Sequence, residues 1–121
     1  MGLQNDMVNK RTLALGRMKA GVMNKLEAEF DKVLQQRLIS GDILWYKFEG
    51  VTFNLAKGSS YTPDFAVLMA NGQMEFMETK GVWLGDGKTK IKIAAELFPF
   101  QFRAIFKKPY KEGGGWKVLD F

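Results

Sequence analysis

Residues 61–80 read YTPDFAVLMANGQMEFMETK: two apolar runs on either side of Ala70-Asn71-Gly72. The runs predict strands over 62–69 and 73–81, joined as a β-hairpin. Side chains alternate faces along a strand, so Glu78 and Lys80 share a face while Thr79 points to the other. Asp64 stands opposite Glu78 only if the connection holds an odd number of residues. Ala70-Asn71-Gly72 meets that condition as a type I turn followed by Gly72 in the left-handed region, forming a G1 bulge. Met69 then pairs with Gln73, and Asp64 with Glu78. A two-residue Asn71-Gly72 turn would instead pair Asp64 with Thr79 and send the two carboxylates to opposite faces. A shared site needs both acids on one face, so the three-residue connection is the expectation.

Two carboxylates held this close repel each other, and at neutral pH they share a proton or bind a cation. Hard oxygen donors suit Mg²⁺, with Mn²⁺ as a substitute, at one or two ions per site. Pro63-Asp64 followed by Glu78-Thr79-Lys80 is the set of groups used in metal-dependent phosphodiester hydrolysis. Asp64 and Glu78 would hold the ion, and Lys80 would orient the nucleophilic water or steady developing negative charge. The chain contains no histidine and no cysteine, which excludes histidine-based phosphodiesterases and Cys/His zinc sites. The bland alternative is a surface hairpin carrying an ordinary Glu-Lys pair.

A third acid comes from the helix predicted over 23–39, ended by Ser40-Gly41. Met23, Leu26, Phe30, Val33, Leu34 and Leu38 fall on one stripe, and Glu27 lies inside it. Glu29 and Asp31 fall towards its borders. A carboxylate on a core-facing stripe is costly unless it is paired or liganded. Glu27 therefore either reaches the hairpin's acidic pair or sits at the rim and pairs there.

At this point the sequence resembles a known family. Leu26-Glu27-Ala28-Glu29-Phe30, Tyr61-Thr62-Pro63-Asp64-Phe65, Asn71-Gly72 and Glu78-Thr79-Lys80-Gly81-Val82-Trp83 are similar to the signature of phage endonuclease I. That family comprises Holliday junction resolvases of the PD-(D/E)XK nuclease superfamily. A basic helix and Phe98-Pro99 with the strand Phe102-Arg103-Ala104-Ile105-Phe106 follow in the family's order, so the resemblance spans roughly residues 23–107. It implies a restriction-endonuclease-like core and a Mg²⁺-dependent endodeoxyribonuclease. Glu27, Asp64, Glu78 and Lys80 would be its active-site residues, and the backbone carbonyl of Thr79 an added metal ligand. A junction resolvase makes two opposed nicks and one chain offers one site, which implies a symmetric homodimer acting on branched DNA. Two departures from the pattern, a chain that stops soon after its last strand and a longer hairpin, fall where junction recognition would be tuned. Cleavage of flaps, nicked duplex, single strands or general duplex DNA is the alternative. So is a catalytically silent DNA-binding module.

The remaining chain supports one domain over 23–121, preceded by a basic arm over 1–22. With 121 residues there is enough chain for a single core. The predicted order is helix 23–39, strands 43–48, 51–56, 62–69 and 73–81, helix 88–97, strands 101–107 and 116–120. That order gives an α/β (α+β) sandwich with a mixed central sheet flanked by helices. Lys57-Gly58-Ser59-Ser60 reads as a polar loop leading into the strand that follows. The formal net charge of +5 is uneven, with the arm carrying Lys10, Arg11, Arg17 and Lys19 against Asp6. Arg11, Arg17, Lys19, Lys57, Lys88, Lys90 and Lys92 are the candidate DNA contacts; the bland reading is solvated surface charge. Trp45, Trp83 and Trp116 read as core or sheet-edge residues. No run is long and apolar enough for a membrane span and no signal peptide is visible, so a cytoplasmic location is expected.

Overall fold

Asn24 starts the first helix because its side chain accepts the Glu27 N–H at 2.8 Å while the Glu27 carboxylate accepts the Asn24 N–H at 2.8 Å. This reciprocal capping box satisfies two of the helix's orphan donors. The computed structural model describes residues 20–81 and 87–121. Helix α1 runs Lys25–Ser40 and ends at Gly41, whose φ of 82° lets its N–H reach back to the Arg37 and Leu38 carbonyls. Phe30 and Leu34 are buried, with Met23 and Val33 packed beside them. Leu38, assigned to the same stripe by its spacing, is 42% exposed, because the helix's last turn runs past the sheet it covers.

The strands are β1 (Ile43–Phe48), β2 (Phe53–Ala56), β3 (Ser59–Tyr61), β4 (Phe65–Met69), β5 (Met74–Lys80), β6 (Gln101–Lys107) and β7 (Trp116–Asp120), with helix α2 at Gly87–Leu97 between β5 and β6. Five of them form a mixed sheet in the order β1-β4-β5-β6-β7. The β5–β6 pair is parallel and the other three pairs are antiparallel. A parallel neighbour needs a crossover, and α2 supplies it. The protein is thus α+β: two helices on a five-stranded mixed sheet, plus a small hairpin.

That small hairpin, β2 with β3, differs from the sequence reading. Ser59 and Ser60, expected in a loop, pair with Ala56 and Asn54. The strand expected over 62–69 begins only at Phe65, since Pro63 has no N–H to give a ladder and Thr62-Pro63-Asp64 separates it from β3. The β2/β3 hairpin and α2 cover one face of the sheet, around Phe53, Tyr61, Phe76, Ile91, Ala94 and Phe102. Helix α1 covers the other face, around Phe30, Leu34, Phe65, Val67, Met77 and Ile105. Strand β5 lies between these half-cores and is buried from Glu75 through Thr79.

The hairpin connection has the expected form. Gly72 adopts φ 87°, its N–H donates to the Met69 carbonyl at 2.9 Å, and the Met69 N–H donates to the Gln73 carbonyl at 2.8 Å. Phe65 pairs with Met77 and Leu68 with Met74, so one more step along the ladder sets Asp64 opposite Glu78. Trp116 on edge strand β7 packs edge-on against Phe30, whereas Trp45 on edge strand β1 is 43% exposed. Trp83 and the arm residues Arg11, Arg17 and Lys19 lie outside the described residues. Among the described residues no helix is long and apolar enough to cross a membrane.

The φ of Gly72 generates a prediction. Gly72→Ala should lower stability by about 1–2 kcal/mol in urea unfolding, the cost of a β-carbon in the left-handed region. Nothing lies within 4 Å of a β-carbon built there, so the loss is conformational rather than steric. Gly72→Asn should lose less, because asparagine tolerates that region. Equal losses for both would show that the turn does not depend on it.

Candidate active site

The end of β5 sets the site. Alternation along this strand turns Glu75, Met77 and Thr79 towards α1, and Phe76, Glu78 and Lys80 towards α2. Glu78 is 7% exposed, and Lys80, two residues on, places its Nζ 3.1 Å from Glu78 Oε2. These two share a face as the spacing predicts.

Asp64 lies one residue before β4, past the break at Pro63. Its carboxylate is turned onto Thr79, whose N–H and hydroxyl donate to Oδ2 at 2.8 and 2.9 Å. Thr79 thus has a role that spacing did not suggest: it fixes the orientation of Asp64. The Asp64 carbonyl also accepts the Glu49 N–H at 2.7 Å, which ties this residue to the end of β1.

Glu27 enters from the first turn of α1. It is half-buried at the rim, with Oε1 committed to the Asn24 N–H. The helix therefore gives it a structural partner, the outcome that the stripe alone left open. Its charge still reaches the sheet. Burial raises the Asp64 pKa, Glu27 and then Glu78 raise it further, and the two bonds from Thr79 only partly oppose them, leaving it at about 7. Glu27 from α1 and Glu78 from β5 thus both act on Asp64.

Each acid commits one oxygen locally: Asp64 to Thr79, Glu27 to Asn24, and Glu78 to Lys80. Among the described residues the second oxygens of Asp64 and Glu27 make no further hydrogen bond or ion pair, and Glu78 also faces the Tyr61 hydroxyl. The donor chemistry, hard carboxylate oxygens in mutual repulsion, fits a divalent cation such as Mg²⁺. Among the described residues the acids are not drawn together into a group of three that encloses an ion.

Tyr61 is the residue that the sequence reading missed. It is 7% exposed, and its hydroxyl has no hydrogen-bond partner among the described residues. Burial, then Glu78, then Asp64 push its pKa well above the usual tyrosine range, so the hydroxyl stays protonated and lies towards Glu78. Its place three residues before Asp64 was visible, but its aim depends on β3 being a strand.

The candidate DNA contacts divide. Lys57 is exposed in the β2–β3 turn, and Lys88 and Lys92 are exposed on α2. Lys90 is exposed too, but its Nζ donates to the Ser60 carbonyl at 2.9 Å, tying α2 to the small hairpin. Comparisons with protein-family models, with curated proteins and with solved structures gave no match to this chain.

Two outcomes are expected from this geometry. Asp64 binds its proton in the folded protein up to about 7 and unfolded only up to about 3.8, so its contribution favours the fold most at low pH and is lost as pH rises through that window. In EDTA, Asp64→Asn should therefore raise the melting temperature at pH 8 relative to the wild type, with a smaller gain at pH 5. An equal gain at both pH values would remove the charge explanation. Tyr61→Phe should leave urea stability unchanged or higher, since it deletes a buried hydroxyl with no partner. A loss above about 1 kcal/mol would mean that the hydroxyl is bonded in solution.

Proposed function

We propose that this chain is a metal-dependent DNA endonuclease of the phage junction-resolvase type, with a restriction-endonuclease-like core. The observation that carries the reading is Asp64 held where the charges of Glu27 and Glu78 both raise its pKa, beside Lys80 at the end of a central strand. The hairpin register, read from the turn, is what sets Asp64 opposite Glu78 and so supports this reading. A scaffold has no need to place the Glu27 charge where it makes Asp64 harder to ionise.

In this reading Asp64 and Glu78 would hold Mg²⁺, with Glu27 and the Thr79 carbonyl completing the set. The ion supplies activation of water and neutralisation of charge at phosphorus. Thr79 holds Asp64 in orientation, and Asn24 holds Glu27. Lys80 presents its ammonium group to the attacking water or to the negative charge that builds on the phosphate oxygens. Tyr61 packs behind Glu78 and shields it from water. The substrate would be branched DNA, cut by a homodimer whose two sites make opposed nicks, in the cytoplasm of a host cell.

One observation favours the second reading, a DNA-binding module without turnover: the carboxylates stand apart, with one oxygen of each already engaged. A single assay separates the readings. Purified protein is incubated with a labelled four-way junction or a matched duplex, in Mg²⁺, Mn²⁺ or EDTA, beside Lys80→Ala. Paired symmetric nicks in the junction alone, abolished by EDTA and slowed about 10²–10³-fold by Lys80→Ala, are the expected result. Equal cutting of both DNAs would keep the nuclease and discard junction selectivity. Binding without cutting in either metal would leave the silent module.

A further inference from the structure

The lysine side of the site continues across the sheet. Lys80 on β5 is in register with Phe106 on β6, and Phe106 with Lys117 on β7. Residues in register on neighbouring strands share a face, so Lys80, Phe106 and Lys117 form one row, spanning about 10 Å at the usual strand spacing. One step back, Glu78, Ala104 and Leu119 form the parallel row. Beside the first turn of α2 this face opens into a furrow of about 400 Å³, with Phe106 and Leu119 among its walls and Lys88, Lys108 and Lys117 along it.

The charge of the furrow is one-sided. Four lysines line it against Glu112 alone. Lys107 is drawn to the opposite face by Glu29, 2.5 Å away. Lys108 and Lys117 make no ion pair among the described residues. The contrast is the cavity on the α1 face, of about 450 Å³, where Arg103 is already engaged by Glu75 at 2.8 Å and by Asp120. There the Arg103 charge is matched by acids, whereas Lys108 and Lys117 in the furrow make no ion pair among the described residues.

We propose that the β6–β7 furrow is a track for the DNA backbone, in which Lys108 and Lys117 contact consecutive phosphates of the strand whose scissile phosphate lies at Lys80. The occupant is a polyanion because Lys108 and Lys117 make no ion pair among the described residues and line a furrow whose Phe106 and Lys117 continue the row from Lys80. It is an extended one because the row spans two strand spacings. Phe106, half-buried between Lys80 and Lys117, gives the strand an apolar floor for a sugar or base. The proposal rests on the phosphodiester reading of the site, and it names two residues that neither spacing nor motif pointed to.

The test measures binding and cutting separately on the full chain. Fluorescence anisotropy with a fluorescein-labelled duplex and a four-way junction, in EDTA, follows affinity from about 50 to about 200 mM salt. The wild type is compared with Lys108→Gln/Lys117→Gln, with the charge reversal Lys108→Glu/Lys117→Glu, and with Lys32→Glu/Lys47→Glu on exposed positions elsewhere. Melting temperatures confirm that each variant folds. The furrow variants should bind at least tenfold more weakly. The log–log salt dependence of the glutamine pair should flatten by about two, for two lost phosphate contacts. The distant pair should bind almost as the wild type does. Unchanged binding by both furrow variants, or equal loss in the distant pair, overturns the track. Furrow-dependent binding without cleavage in Mg²⁺ or Mn²⁺ sustains the track and overturns the nuclease. Normal cleavage with furrow-independent binding does the reverse, and no DNA binding by the wild type overturns both.

Discussion

The left-handed backbone at Gly72 is the constraint on which the rest of the molecule depends. It permits a three-residue connection, and that odd number fixes which side chains of β5 face which helix. In most half-exposed hairpins a one-residue slip would trade an apolar face for a solvated one. Here β5 is buried on both faces, so a slip would drive Glu75 and Glu78 into the opposite half-cores and strip them of Arg103 and Lys80. The turn allows the register and the two half-cores enforce it. The same register carries the acids to the strand end and aligns Lys80 with Phe106 and Lys117.

The carboxylates at that end are where the chain departs from what stability alone would choose. An aspartate beside two glutamates, half-withdrawn from water, resists ionisation, and the two bonds from Thr79 do not fully offset the repulsion. Elsewhere the acids are handled conventionally: Glu75 and Asp120 on Arg103, Asp42 on Arg37, Glu29 on Lys107. Against those paired acids, Asp64, held beside two glutamates at one strand end, is a local conflict among the described residues, and it falls at the candidate site, where functional demands most often override stability.

The hairpin and helix α1 were legible in the sequence because each rests on local signals. Asn71-Gly72 between apolar runs gave the turn and register, and strands 43–48, 101–107 and 116–120 carried their bounds in their composition. The β2/β3 hairpin was not legible, because Ser59-Ser60 has no apolar alternation and pairs only by packing under α2. Missing β3 also concealed Tyr61, whose hydroxyl meets the site only from that strand. Periodicity put Glu27 on the helix stripe that covers the sheet, but it shows which face a residue takes and not how far along the sheet the helix starts. Its place at the rim follows from the cap at Asn24, and the exposure of Leu38 from the helix overrunning the sheet at its other end. Lys108 and Lys117 fall outside any motif, and only the pairing of β6 with β5 and β7 puts Lys117 in line with Lys80.

The position of the site within the sheet follows from topology. β5 and β6 are the sheet's one parallel pair, so both run towards the same edge and their carboxyl ends lie side by side. The crossover through α2 leaves from that edge, and open α/β sheets take ligands at such carboxyl ends. Lys80 ends β5 and Lys107 ends β6, while the antiparallel β7 begins beside them with Trp116 and Lys117. Cations therefore gather on the β6–β7 side of this edge, and the acids on the β4 side, where Asp64 stands and α1 delivers Glu27. In the proposed reading that gradient is functional. A phosphate chain entering along the lysines is attracted until it reaches the carboxylates, and it can settle there only where a cation bridges the two negative sets. Cation binding and substrate placement would then be coupled by charge alone, before any motion of the protein is invoked.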